Sequence, residues 1–184
     1  MGRCCVTADL PSKVFRVTRA DYAATAEVAL SGIGGLHAEG RWHSRGRRIV
    51  YTSQSTTLCL LERLVHADEW IAERHPDRVM LSLNIPEASC FKYEASELSA
   101  RDPLWRSEGN LFCRRLGDHW LASKASCAMM VPSAANQADF NILFNPEHPE
   151  FAMVLSANDP LVSAPVELDE RVVDLARQRR SGSL

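Results

Sequence analysis

The stretch Gly40–Glu62, GRWHSRGRRIVYTSQSTTLCLLE, decides the fold, because a basic loop, a strand and an amphipathic helix follow one another within it. Residues 49–53 are apolar and β-branched enough to predict a strand. Successive side chains of a strand alternate between its faces, so Val50 and Tyr51 must point to opposite sides. The stretch therefore places cationic, aromatic and carboxylate side chains in one strand-to-helix unit.

The second half of this stretch predicts a helix that begins at Thr57 and continues to about Glu69, with Ser55 or Thr56 as its cap. Its apolar positions are Leu58, Leu61 and Val65, at the spacing of one helix face. Glu62 lies among them at the edge of that face. A carboxylate in this position either pairs with an arginine or belongs to a functional site, and the helix alone leaves both readings open.

Outside this unit, helices and strands alternate irregularly, which predicts a mixed α+β domain rather than a doubly wound sheet. The predicted strands are Lys13–Thr18, Val79–Ile85, Cys127–Val131, Asn141–Asn145 and Phe151–Leu155, and the predicted helices are Asp21–Ala29, Asn110–Ser123 and Asp169–Arg179. We interpret residues 92–106 as a loop anchored by Trp105, and Trp120 as a core residue. Residues 1–184 are expected to form one domain, with a core over about 14–156 and a C-terminal helix and tail over 157–184.

Composition excludes several classes of protein. A net charge of −2 and a pI near 6.3 argue against direct nucleic-acid binding. The chain has no apolar run long enough for a membrane span and no signal-peptide pattern, so we expect a cytoplasmic protein. The six cysteines are scattered through apolar segments and are interpreted as buried free thiols. The histidines and cysteines have no metal-ligand spacing, and no metal site is expected.

Six motifs, taken together, resemble the RES family, the toxins of RES–Xre toxin–antitoxin pairs. They are GRWHSRG, VYTSQS, LLERLVH, GDHWLAS, MVPSA and FNILFNPEHPEF, in that order along the chain. The resemblance implies a fold similar to ADP-ribosyltransferases and degradation of NAD⁺, in some members by phosphorolysis to nicotinamide and ADP-ribose 1″-phosphate. It also implies an Xre-type antitoxin with a DNA-binding helix-turn-helix that covers the site. A homo-oligomer within such a complex is left open.

The resemblance also implies site residues. The positions that match the family's motifs are Arg41, Tyr51, Glu62, Ser133, Asn141 and Asn145. Arg16, on the first strand, is added as a candidate substrate-binding residue for a phosphate group. Glu39 and His43 depart from the usual GGRWN pattern, in which a glycine and an asparagine occupy their places. An extra acid beside Arg41 would weaken the binding of an anion, although a solvent-exposed carboxylate is largely screened.

The chemistry of the nicotinamide–ribose bond suggests a role for each candidate. Nicotinamide leaves as a neutral ring, so the charge that develops is an oxocarbenium ion on the ribose, and Glu62 supplies an anion near it. Arg41 offers a planar fork for the diphosphate or for an attacking phosphate. Tyr51 stacks on nicotinamide or donates a hydrogen bond. Ser133 orients substrate rather than attacking it, because no histidine and acid pattern marks an activated nucleophile. Asn141 fixes neighbouring loops or contacts substrate. No cofactor is expected, with NAD⁺ as substrate and inorganic phosphate as co-substrate.

Other readings remain for the same residues. Arg41 could form a surface salt bridge, Tyr51 could pack in the strand, Ser133 could cap a turn, and the asparagines could be turn residues. His148, between two prolines, is interpreted as structural. At the level of the whole protein, the alternatives are transfer of ADP-ribose to a macromolecule and a non-catalytic module that binds an antitoxin.

Overall fold

The computed structural model describes residues 3–5, 10–65, 78–107 and 109–172. Its strands are β1 (Arg3–Cys5), β2 (Lys13–Arg19), β3 (Val50–Ser53), β4 (Arg78–Asn84), β5 (Cys90–Lys92), β6 (Ala128–Pro132), β7 (Phe140–Phe144) and β8 (Val162–Pro165). Its helices are α1 (Ala26–Ala29), α2 (Gly34–His37), α3 (Thr56–Val65), α4 (Ala95–Arg101), α5 (Leu111–Ser123) and α6 (Phe151–Ser156), with a 3₁₀ turn at Ala20–Tyr22.

All eight strands belong to one mixed sheet in the order β1-β5-β6-β7-β3-β2-β4-β8. Only β5 and β6 run parallel among these neighbours. In the centre of the sheet, β7 pairs with β3 on one side and with β6 on the other, so that Asn141 lies opposite both Ser53 and Val131. This register brings the ends of three strands together at the place where the candidate site residues lie.

A hydrophobic core covers each face of the sheet, as the alternation in β3 predicts. Val50 is fully buried in one core, which also contains Ile142 and Phe144. Tyr51 packs against the other core, whose larger members include Trp42, Trp105, Trp120 and Leu143. Trp105, interpreted as a loop anchor, and Trp120, interpreted as a core residue, are both buried. The second core supports the face of the sheet that carries Tyr51, Ser53 and Asn141.

Helix α3 follows β3 directly, and the backbone N–H of Leu58 donates to the Ser55 hydroxyl that caps it, at 3.1 Å. Its buried side consists of Leu58 and Cys59, whereas the predicted apolar positions Leu61 and Val65 are largely exposed. The expected apolar face is therefore narrower than its spacing indicated. Glu62 nevertheless lies at the edge of the buried side, four residues after Leu58 and three after Cys59. The predicted end of the helix at Glu69 lies outside the described residues.

The strand predicted over Phe151–Leu155 is wrong, because these residues form helix α6. The run FAMVL is continuously apolar, and such a run does not distinguish a buried strand from a short helix. In the helix, Phe151 and Val154 are buried and three positions apart, while Met153 faces outward. Asn158 secures its end by donating from Nδ2 to the carbonyl oxygens of Val154 and Asn84.

Several other boundaries differ from the prediction. The helix predicted over Asp21–Ala29 is broken before α1, where the Thr25 side chain caps a new helix start. The predicted loop over 92–106 contains α4, which begins with a capping box between Glu94 and Glu97. Strand β8 pairs with β4 in the segment for which the sequence predicted only a helix and tail. Of the predicted final helix, residues 170–172 are helical and the remainder lies outside the described residues.

Cys59, Cys90, Cys113 and Cys127 are buried thiols that form no disulfide bond, as expected for cysteines in apolar segments. Among the residues that the structure describes, no helix is both long and apolar enough to cross a membrane.

Candidate active site

The carboxylate of Glu62 is the centre of a hydrogen-bonded group that joins three elements. Its Oε1 atom accepts from the Ser133 hydroxyl at 2.6 Å and from the Asn141 Nδ2 at 2.5 Å. These donors come from positions 71 and 79 residues further along the chain. The Oε2 atom accepts no hydrogen bond from the described residues, so one oxygen of the carboxylate is held while the other remains available.

Ser133 is fully buried directly after β6, and its hydroxyl group takes part in three hydrogen bonds. Its hydroxyl donates to Glu62, and the same oxygen accepts from the backbone N–H groups of Ala135 and Asn136, both at 3.0 Å. A hydroxyl has one hydrogen and two acceptor sites, so these bonds use its whole capacity. Ser133 therefore positions Glu62 and closes the turn after β6, and its contacts do not resemble those of an activated nucleophile.

Asn141 links the carboxylate to the neighbouring strand. Its Nδ2 donates to Glu62, while its Oδ1 accepts from the Ser53 hydroxyl at 2.7 Å. Ser53 was not among the predicted site residues. Its signal in the sequence is its position two residues after Tyr51, which puts both side chains on one face of β3, about 7 Å apart along the strand. The Glu62 group and Tyr51 thus share one face of the sheet.

Tyr51 is held by the loop that precedes β3. Its hydroxyl lies 2.8 Å from the His43 Nδ1 and accepts from the Trp42 backbone N–H at 3.3 Å. The His43 Nε2 lies 3.1 Å from the Ala38 carbonyl oxygen, which can only accept, so in neutral His43 the proton is on Nε2. Nδ1 is then an acceptor, and the Tyr51 hydroxyl donates to it. Burial raises the pKa of Tyr51 above its ordinary value, so the phenol stays protonated.

Close packing at Gly40 keeps this arrangement compact. A Cβ atom at this position would lie 2.8 Å from the Tyr51 hydroxyl oxygen and 2.7 Å from the His43 Cε1. His43, which departs from the usual motif, is only 5% exposed and is a structural partner of Tyr51. The other departure, Glu39, forms an ion pair with Arg114 at 2.9 Å. Glu39 was expected to weaken the binding of an anion beside Arg41. Its carboxylate is instead paired with a different arginine, Arg114.

Arg41 is anchored to the loop before α5. Its Nη1 donates to the carbonyl oxygens of Trp105 and Ser107, at 2.8 and 3.0 Å. Its Nη2 and Nε atoms form no hydrogen bond with another described residue. Part of the planar guanidinium fork is therefore available to a ligand. The surface salt bridge considered for Arg41 is not formed with any described carboxylate.

The same loop reaches the Ser133 side of the site. Arg106 donates from Nε and Nη2 to the Ala134 carbonyl oxygen, at 3.0 and 2.8 Å. The loop therefore connects the residue after Ser133 to the residues that hold Arg41. With Tyr51 and Trp42 on the other side, the contacts close into a ring around one face of the sheet. Trp105 and Arg106 belong to the predicted loop over 92–106, and Ser107 lies just beyond it. No local pattern distinguishes the carbonyl groups of these residues as ligands of an arginine.

Arg16 contacts this group through the backbone only. Its Nη1 donates to the Tyr51 carbonyl oxygen at 2.9 Å, and burial lowers the pKa of its guanidinium.

Asn145, matched by the family motif, lies apart from the site: its Nδ2 donates to the Leu121 carbonyl oxygen, and its Oδ1 accepts from the Glu147 N–H. Sequence-predicted residues Glu62, Ser133 and Asn141 are thus in direct contact, with Tyr51 and Arg41 beside them.

His148 serves the turn between β7 and α6, in line with its structural interpretation. Its Nδ1 accepts from the Glu150 N–H at 3.2 Å. The Glu150 Oε2 in turn accepts from the N–H and hydroxyl of Ser89, at 2.7 and 2.6 Å. These side chains and Cys127 have potential ligand atoms within 4.8 Å of one another. Because the nitrogen and the carboxylate oxygen already have protein partners, this group does not require an ion to satisfy it.

The buried His43 leads to a pH-dependent stability. Desolvation lowers the pKa of His43 below 6.5, although the Ala38 carbonyl and the charges of Asp118 and Glu39 act in the opposite direction. The unfolded chain therefore binds the proton more readily, and stability present above pH 6.5 is lost as the pH falls below it. In urea unfolding at pH 7, 6 and 5, His43→Asn is expected to remove this contribution, whose slope is at most about 1.4 kcal/mol per pH unit.

His119, exposed on α5, provides the matched control for this measurement. His119→Asn should keep the wild-type dependence of unfolding free energy on pH. An unchanged slope in His43→Asn would contradict the assignment of a depressed pKa to His43.

Comparison with known proteins shows the family of this chain. A family model described as the RES domain matches residues 13–168. The chain belongs to the RES domain family. Toxin Res of Pseudomonas putida is 37% identical over 122 residues, which cover 66% of this chain and 80% of that protein. Toxin Res of Photorhabdus laumondii is 32% identical over 139 residues, covering 75% and 84%. The resemblance to RES toxins stated from the motifs is confirmed.

Two further similarities bear on this RES-domain protein. The Prs ADP-ribosylating toxin of a Sphingobium species is 28% identical over 122 residues, covering 66% of this chain and 74% of that protein. The crystal structure of the M. tuberculosis MbcT–MbcA toxin–antitoxin complex contains a chain with a TM-score of 0.63 and 15% identity, covering 98% of this chain and 91% of that one. At that identity the likeness concerns the fold alone, and it confirms the expected α+β RES fold.

Proposed function

We propose that this RES-domain toxin cleaves the nicotinamide–ribose bond of NAD⁺ and stops growth by depleting it. The observation that carries the proposal is the Glu62 carboxylate, held through one oxygen by Ser133 and Asn141 on the face of the sheet that also carries Tyr51. A preorganised anion is what a developing oxocarbenium ion requires, because the protein then needs no rearrangement as charge appears.

Each residue around Glu62 has a distinct part in this reaction. Oε2 of Glu62 faces the positive ribose or holds its hydroxyl groups, while Ser133 and Asn141 keep the carboxylate in place. The unbonded nitrogens of Arg41 bind phosphate oxygens as a fork. Tyr51 offers its ring for stacking on nicotinamide, since its hydroxyl hydrogen is donated to His43.

The bond changes of this step balance without a cofactor. The C–N bond breaks, and its electron pair leaves with nicotinamide as a neutral ring. An oxygen of inorganic phosphate then forms the bond to C1″ of the ribose and yields ADP-ribose 1″-phosphate. If water attacks instead, ADP-ribose forms and a proton is released. Phosphorolysis is the form we propose, with hydrolysis as the competing outcome.

The test is to follow NAD⁺ with purified protein, in buffer with and without inorganic phosphate, and to identify the ribose product by NMR or mass spectrometry. We expect NAD⁺ to disappear faster with phosphate, and the product to carry a 1″-phosphate. Product without that phosphate, at an unchanged rate, would indicate hydrolysis. Intact NAD⁺ in both buffers would overturn the proposal.

Transfer of ADP-ribose to a macromolecule is the second candidate, and the name of the Sphingobium relative favours it. It would use the same activated ribose, with a protein or nucleic-acid nucleophile in place of phosphate. NAD⁺ labelled in its adenylate part separates the two: a labelled band in a gel supports transfer, whereas label confined to small molecules supports NAD⁺ degradation.

An antitoxin partner is part of the proposal, and an Xre-type helix-turn-helix protein is its expected form. The fold shared with a chain from a toxin–antitoxin complex supports an antitoxin partner. Co-expression with such a protein should restore growth and yield a complex in size-exclusion chromatography. Growth arrest that persists when NAD⁺ levels stay normal would favour the non-catalytic module instead.

A further inference from the structure

Arg63 is the next residue after Glu62 on α3, and it has no part in the reaction proposed above. Its side chain is partly buried, and its Nε is enclosed by protein without a hydrogen-bond partner. Within the described ranges, no residue forms a hydrogen bond or ion pair with its guanidinium. Buried charged groups are normally paired, so an arginine in this condition requires an explanation.

A second arginine in the same condition lies nearby. The Nε of Arg16 is also buried without a partner, although its Nη1 donates to the Tyr51 carbonyl oxygen. The positive charge of Arg63 adds to burial in lowering the pKa of Arg16, and no carboxylate contributes in the opposite direction. Two like charges thus lie near each other in partly buried positions, and no carboxylate is among the charges that act on Arg16.

Contacts around Cys59 relate this pair to the candidate active site. Cys59 lies one turn before Arg63 on α3 and contacts the Ser53 side chain, and Ser53 lies opposite Phe15, the residue before Arg16. The Ser53 hydroxyl in turn donates to Asn141, which holds Glu62. The arginine pair therefore adjoins the Glu62 group at Ser53, while Arg41 adjoins it near Tyr51.

We propose that Arg16 and Arg63 form an anion site that takes a phosphate group beside Glu62. Guanidinium groups bind phosphate through paired N–H donors, and a bound dianion would relieve the repulsion between the two cations. The proposed reaction uses two ligands that carry phosphate, the dinucleotide and inorganic phosphate. The source of the group is either the diphosphate or free phosphate, and this deepening of the active site rests on the proposed function.

Direct binding tests the site without relying on catalysis. Inorganic phosphate and ADP-ribose are titrated separately into the protein by calorimetry at constant ionic strength. Arg63→Gln is expected to raise the dissociation constant of at least one of these ligands by tenfold or more. Arg63→Lys should raise it less, because the charge is kept although the guanidinium fork is lost. Arg115→Gln, on the exposed side of α5, is the matched control and should bind as wild type does.

The two arms identify the source of the phosphate group. Weaker binding of inorganic phosphate alone assigns the site to the co-substrate, and weaker binding of ADP-ribose assigns it to the diphosphate. Equal binding of both ligands by Arg63→Gln and Arg115→Gln overturns the site. If binding depends on Arg63 but the protein leaves NAD⁺ intact, the proposed function is refuted and the anion site is retained.

A measurement of thermal stability distinguishes the loss of the anion site from a folding defect in the variant. Arg63 makes no hydrogen bond with a described residue, so Arg63→Gln should unfold at the wild-type temperature or above it in phosphate-free buffer. The ligand whose binding depends on Arg63 in calorimetry should then raise the melting temperature of wild type and of Arg115→Gln, because a ligand stabilises the state that binds it. The same increase in Arg63→Gln would contradict the site.

Discussion

Replacing Glu62 with glutamine is expected to lower the rate of NAD⁺ cleavage by about 10²- to 10³-fold, the usual effect of removing one preorganised group that stabilises developing charge. Glutamine has the same size, and its amide oxygen can accept from Ser133 and Asn141 as the Glu62 Oε1 does. The fold should therefore persist while the negative charge is lost. The rate is measured with saturating phosphate, and the folded state by circular dichroism.

The matched control for this variant is Glu27→Gln, because Glu27 is an exposed carboxylate on α1 outside the ring of contacts around Glu62. It should retain the wild-type rate. Growth arrest gives a second readout, since cells that express Glu62→Gln should keep their NAD⁺ and continue to divide. A folded Glu62→Gln protein that cleaves NAD⁺ as fast as wild type would refute the assigned role of the carboxylate.

Replacing Gly117 with alanine is expected to lower the unfolding free energy by about 2 to 3 kcal/mol, at the upper end for an added methyl group in a packed site. Gly117 lies on the buried side of α5, where a Cβ atom would be 1.9 Å from the Trp42 carbonyl oxygen and 2.7 Å from its carbonyl carbon. Backbone atoms cannot turn away as a side chain can, so the loop that holds Arg41 must move. Urea unfolding measures the loss, and a fall in NAD⁺ cleavage should accompany it.

Gly34 offers the comparison for the same substitution. It lies in α2, and a Cβ atom there would meet nothing within 4 Å. Because alanine favours helix over glycine by up to about 1 kcal/mol, Gly34→Ala should be neutral or slightly stabilising. If both variants unfolded at the same urea concentration, close approach of α5 to the Trp42 backbone would not be the cause of the expected effect.

Local patterns predicted most of the central sheet and the elements on either side of the site. Alternation in β3 assigned Val50 and Tyr51 to opposite cores, and the helix spacing put Glu62 at the edge of a buried face. The same patterns failed where a short apolar run had two readings, as in Phe151–Ser156. They also missed β8, an exposed edge strand that has no apolar alternation to reveal it.

The roles of the site residues depended on information of a different kind. The family motifs indicated which residues belong together, but a motif does not say which atoms meet. Ser133 was interpreted as orienting substrate, and its bonds show that it orients the Glu62 carboxylate. His43, seen as a departure from the motif, proved to be the acceptor for the Tyr51 hydroxyl.

By itself, the sequence determined the strand-to-helix unit of Gly40–Glu62, because alternation and helix periodicity act between residues that are close along the chain. Only the tertiary structure decided that Glu62 meets Ser133 and Asn141, that the carbonyl groups of Trp105 and Ser107 hold Arg41, and that the Nε atoms of Arg16 and Arg63 are buried without a partner. Such contacts follow from the order and register of strands in the sheet. These are set by packing of the whole molecule, and no local pattern encodes them.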